Sequence, residues 1–79
     1  MAEHDAVKVL DLKGLPCPMP VVKMSQEIGS VDVGNVIEVH TTDPGSLADF
    51  PAWAKSSGNE ILETRQEEGL IRIFVKRLK

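Results

Sequence analysis

Three prolines at alternating positions, Pro16, Pro18 and Pro20, punctuate the run Gly14-Leu15-Pro16-Cys17-Pro18-Met19-Pro20-Val21. Each proline lacks a backbone N–H and holds φ near about −65°, so the run suits neither a central strand nor a helix interior. It reads as a tight junction that reaches the surface and opens a helix. Pro18 fits the first helical position, with Cys17 as N-cap, because Pro18 has no N–H to lose and pushes Cys17 out of the α region. Pro20 disfavours helical geometry at Met19 in turn, so the residues leave open a helix proper that starts at Pro20.

Cys17 is the only cysteine of the chain. At the start of a helix, unpaired N–H groups and the dipole favour negative charge, and a sulfur nucleophile reacts as the thiolate. With a reference pKa of about 8.5, only about 3% of a thiol is ionised at pH 7, so a shift of one or two units decides the chemistry. The prolines also limit that shift, since among the first-turn amides they leave Met19 as the main donor to the sulfur. A moderately lowered pKa is expected. The bland alternative, a small buried hydrophobe, sits poorly with prolines on both sides.

The 79 residues read as one domain, 1–79, with residues 1–5 flexible. A composition of 42% apolar and 27% charged residues is globular, and no stretch approaches the roughly 20 apolar residues of a membrane span, so no membrane insertion is expected. The acidic N-terminus Met1-Ala2-Glu3-His4-Asp5 lacks a secretory profile, and one cysteine forms no internal disulfide. Together these point to a cytoplasmic, reducing setting. A net charge of −3 without a basic run gives little grip on a phosphate backbone, and direct nucleic-acid binding is not expected.

Val7 to Asp11 reads as a first strand ended by the Lys13-Gly14 turn. Val21, Met24 and Ile28 form the apolar stripe of a helix from Pro20 to Ile28, stopped by Gly29. In Asn35 to Thr42, Ile37 and Val39 alternate with Glu38 and His40, which predicts a strand with one face to water. Asp43-Pro44 gives an N-cap and first helical position, and Leu47, Phe50 and Ala54 supply the stripe of a helix ending at Ser57-Gly58. Pro51 inside it predicts a kink or a restart. Glu60 to Gln66 and Leu70 to Lys76 form a closing hairpin around Glu67-Glu68-Gly69.

The order β-α-β-α-β-β predicts an α+β, two-layer sandwich: a four-stranded mixed sheet whose first two strands are parallel, with both helices on one face. Loops at the carboxyl ends of parallel strands share an edge, so Cys17 and Asp43-Pro44 should be neighbours. His40 is a weak candidate base for Cys17, because alternation points its ring away from that edge. Lys13 and Lys23 are candidates for electrostatic support of a thiolate. Trp53, beside the apolar stripe, suits the core first and a partner second. His4 reads as a tail residue. Two distant histidines and one cysteine make no metal site, and the glycines lack nucleotide-loop spacing, so no metal or cofactor is implied.

Leu10-Asp11, Gly14-Leu15, Cys17-Pro18-Met19-Pro20, Asp43-Pro44, Asp49-Phe50-Pro51 and the final hairpin resemble the TusA/SirA-like sulfur carriers, over residues 7 to 78. The resemblance implies strand order 1-2-4-3 and a Cys17 that accepts sulfane sulfur as a persulfide and hands it on. It implies that Pro18, Met19 and Pro20 are motif neighbours and that Asp43 and Pro44 are a structural signature, with Gly14 in the turn before. Met19 stands where the tRNA-thiolation member has glutamate. Implied partners are a donor, a cysteine desulfurase or rhodanese, and an acceptor of DsrE/TusD type or another kind. Implied pathways are tRNA thiolation, molybdenum cofactor assembly, and sulfur oxidation or trafficking. A thiol redox sensor and a non-catalytic interaction module remain as alternatives. Whether such a carrier counts as an enzyme is a matter of convention.

Overall fold

The computed structural model describes residues 6–16 and 18–79. Four strands, β1 (Ala6–Asp11), β2 (Val36–Thr41), β3 (Glu60–Glu67) and β4 (Leu70–Lys76), and two helices, α1 (Met19–Glu27) and α2 (Ser46–Ser57), follow the expected order, with a 3-10 turn at Ile28–Ser30. The strands form one sheet in the order β1-β2-β4-β3. β1 pairs with β2 in parallel, while β2 with β4 and β3 with β4 are antiparallel.

Period-2 alternation decides which side of the sheet is covered. In the β2–β4 register, Ile37, Val39 and Thr41 lie opposite Val75, Ile73 and Ile71. These side chains share one core with Met24 of α1 and Phe50 of α2, so both helices lie on that face. Met24 and Phe50 are wholly buried, each worth about 1.5–3 kcal/mol over an exposed position. Phe50 meets Trp53 edge to face, at 6.3 Å between ring centroids.

Helix limits differ from the sequence reading in instructive ways. The Pro18 carbonyl accepts the Val22 N–H at 3.1 Å, which makes Pro18 the N-cap of α1, Met19 the first helical residue and Pro20 the second. The start is one residue later than a Cys17 cap would place it. Pro20 is tolerated because the second amide of a helix has no intrahelical partner in any case. The end of α1 tightens into the 3-10 turn and passes through Gly29 instead of stopping there. α2 runs unbroken through Pro51, so no second helix restarts at that residue. It stops at Gly58, whose φ of +81° ends the helix in the left-handed region.

The opposite face of the sheet is less wet than alternation suggests. Glu38, expected to face water, retains only 8% exposure, and Phe74 retains 2%. Glu38 accepts bonds from Arg72 Nη2 at 2.9 Å and Arg72 Nε at 3.1 Å, and its Oε2 lies 2.5 Å from His40 Nε2. The guanidinium groups of Arg65 and Arg72 lie 5.8 and 5.9 Å from the Phe74 ring centroid. The long charged side chains thus roof the aromatic ring while keeping their heads in the ion network. Burial alone would raise the Glu38 pKa, but the bonds and charges of His40 and Arg72 outweigh it and hold the carboxyl below its ordinary range.

Candidate functional site

The right-handed β1-α1-β2 crossover brings the loops after β1 and β2 to one edge of the sheet, as their parallel pairing demands. Two hydrogen bonds join them. The Leu12 N–H donates to the His40 carbonyl at 2.8 Å, and the Gly14 N–H donates to Thr42 Oγ1 at 3.0 Å. Gly14 has a φ of +82° with open space where a Cβ would stand, so it is the backbone conformation that calls for glycine there. The loop turns at Lys13-Gly14 and runs through Leu15 and Pro16. Met19 then donates its N–H to the Pro16 carbonyl at 2.9 Å.

That last bond corrects one expectation. The Met19 amide, expected to serve the sulfur, is committed to Pro16, because the chain closes a turn just ahead of the helix. Cys17 itself lies outside the described residues, as does His4. Its neighbours Pro16, Pro18 and Met19 are all exposed, while Pro20 is buried and anchors the first turn of α1.

Across the edge, the Asp43 carbonyl accepts the Ser46 N–H at 3.0 Å, and Asp43 Oδ1 accepts the Gly45 N–H at 3.3 Å. Asp43 therefore caps the turn that leads into α2, although the α-helical geometry begins three residues later, at Ser46. Thr41 Oγ1 accepts the Asp43 N–H at 3.2 Å and lies 3.3 Å from Ser46 Oγ, bracing the turn from beneath. Asp43 Oδ2 is buried and has no hydrogen-bond partner.

The other candidates separate. Lys13 is exposed and lies 3.9 Å from the carboxylate of Asp11, and Lys23 projects from the exposed side of α1. The His40 ring is tied to Glu38 on the sheet face away from the helices, which fits its poor prospects as a base. Trp53 serves both expected roles: it packs on the core beside Phe50, and with Pro18, Val21, Asp49 and Ala52 it lines an open groove of about 570 Å³ between α1 and α2. Among the described residues no three His, Cys, Asp or Glu side chains gather as for a metal, and no helix is long and apolar enough to cross a membrane. Thr42 went unremarked in the sequence, though a threonine just before Asp-Pro is a signal for a loop that binds its neighbour through a hydroxyl.

Comparison with known proteins gives this geometry a family. The solved structure of a SirA-like protein from Desulfitobacterium hafniense superposes with a TM-score of 0.72 at 23% identity, covering 91% of this chain and 99% of that one. It shares the fold. The sulfur carrier protein TusA of Allochromatium vinosum is 39% identical over 77 residues, 98% of this chain and 99% of its own length. The putative sulfur carrier protein YrkF of Bacillus subtilis is 49% identical over 72 residues, 91% of this chain, which there spans only 39% of the longer relative. The sequence model of the family described as sulfurtransferase TusA matches residues 8–77. The crossover edge, the proline-flanked cysteine and the Asp43-Pro44 turn are therefore those of a TusA-like sulfur carrier fold, and the chain belongs to the TusA sulfurtransferase family.

Proposed function

We propose that the chain carries sulfur as a persulfide on Cys17, accepting it from one protein and delivering it to another. The supporting observation is the exposed Pro16–Met19 segment at the start of α1, held on the crossover edge by the Gly14–Thr42 bond. A relay thiol must reach two different partners, and a rigid, surface-reaching loop at a helix start presents it without a deep pocket. In the loading step the Cys17 thiolate attacks the outer sulfur of a donor persulfide, the inner donor sulfur leaves as thiolate, and the sulfane sulfur moves to Cys17. An acceptor thiolate repeats the exchange in the other direction. Because Cys17 is the only cysteine, no second thiol of the chain can collapse the persulfide into an internal disulfide.

The donor proposed is a cysteine desulfurase or a rhodanese, and the acceptor a DsrE/TusD-type or other thiol protein, in a reducing compartment such as the cytoplasm. Gly14, Pro18, Met19, Pro20, Asp43 and Pro44 shape the presenting edge in this reading, and Lys13 and Lys23 contribute positive charge around it. Incubation with either donor should raise the intact mass by one sulfur atom, reversed by a reductant. A wild-type chain that takes up no sulfur from several donors refutes the proposal. Oxidation by peroxide much faster than that of free cysteine, without sulfur uptake, would favour a redox sensor instead.

A further inference from the structure

A second groove, of about 370 Å³, lies between the first turn of α2 and the tip of the β3–β4 hairpin. Its floor and walls include Pro44, Leu47 and Leu70, and its rim carries Glu67 and Glu68. Leu47 belongs to the apolar stripe of α2, yet it retains 36% exposure where Phe50 retains none. Its position in the first helical turn carries it past the end of the sheet, so the core cannot cover it. The groove is thus apolar inside and open to solvent.

Charge selects what would fill it. Glu67 reaches Arg72 only at 3.9 Å, and Glu68 has no ion-pair partner among the described residues. The start of α2 contributes about +0.5 charge, less than the two carboxylates carry, so the rim is net negative. Thr42 lines the same groove and holds Gly14, three residues before Cys17. A protein docked over the thiol loop would meet this groove next.

The geometry points to a second docking point, for a segment of the protein that exchanges sulfur with Cys17, in which an Arg or Lys stands beside an apolar side chain. The apolar group seats against Leu47 and Leu70, and the cation lies at Glu67 and Glu68. The inference rests on the carrier reading of Cys17 and adds to it a recognition site that is separate from the sulfur chemistry.

The test measures Kd by calorimetry for a purified cysteine desulfurase, a rhodanese and a DsrE-type protein, with sulfur uptake followed in parallel by intact mass. Charge reversal by Glu68→Lys should weaken the tightest wild-type complex by about tenfold and flatten its salt dependence. Leu47→Ser should weaken it by about fivefold, as expected for loss of one apolar contact. Glu60→Lys, a reversal at the far end of β3, should change nothing, and thermal melts confirm that each variant is folded. Wild-type affinity in both Glu68→Lys and Leu47→Ser overturns the groove, as does equal weakening by Glu60→Lys or a wild type that takes up sulfur without measurable affinity for any of the three. In those outcomes sulfur uptake stands and only the groove falls; absence of uptake by the wild type sinks the carrier reading first.

Discussion

The open face of the sheet and the edge that carries the Gly14 and Asp43 loops use polar groups in opposite ways. On the open face, Glu38 is bonded to both Arg72 and His40, and Phe74 is roofed by two guanidinium groups. The network is closed. At the edge, prolines strip the backbone of donors, Gly14 holds a left-handed conformation, and Asp43 Oδ2 is buried without a partner. A face whose charges are mutually satisfied stabilises the domain, whereas an edge with uncommitted groups suits a surface that must receive one partner after another.

The sharpest break between the two regions is Cys17→Ser. It should abolish sulfur uptake altogether while moving stability by no more than about 1 kcal/mol, as read by intact mass and thermal melts. A variant that unfolds, or one that still takes up sulfur, would remove Cys17 from the proposed role.

Glu38→Ala should do the reverse. It leaves Arg72 and His40 without their shared acceptor, so a loss of about 2 kcal/mol in denaturant melts is expected, with sulfur uptake at the wild-type rate. The pH dependence follows from the same group. Folding lowers the Glu38 pKa from 4.5, so its stabilisation is complete above that pH and is lost as pH falls through the lowered folded value. Glu38→Gln should flatten the acid limb of the stability curve, and an unchanged limb would show that other carboxylates govern it.

Gly14→Ala tests the edge itself. A side chain at φ +82° costs about 1 kcal/mol, and relaxing that strain would pull the amide from Thr42. Sulfur transfer should slow at constant donor affinity, because presentation of the thiol is loosened more than the docking surface. The smallest effect is expected for Asp43→Asn, which retains an acceptor for the Gly45 N–H and removes only the unpartnered charge. Its stability should stay within about 0.5 kcal/mol of wild type, whereas Asp43→Ala, which removes the cap, should lose about 1 kcal/mol.

How much of this could be read from the chain varies with the range of the forces involved. Strand alternation, helix stripes and proline chemistry act within a few residues, so the order of elements and the junction around Cys17 were legible. The one-residue shift of the α1 cap to Pro18 was not, since it hangs on a carbonyl of Pro16 closing onto Met19. The exposure of Leu47 also escaped the stripe, because periodicity names a helix face but not where the sheet beneath it ends.

Sequence alone determined the fold class, the parallel crossover and the presence of a single thiol at a helix start, because each follows from local backbone preferences and the chirality of the connection. Only tertiary structure decided that Glu38 is buried instead of solvated, since its partner Arg72 stands 34 residues away and is brought opposite by the β2–β4 register. It likewise decided that Thr42 holds the Gly14 turn and that a groove opens beside the hairpin tip. Such contacts depend on which strands become neighbours, and no window of a few residues contains that information.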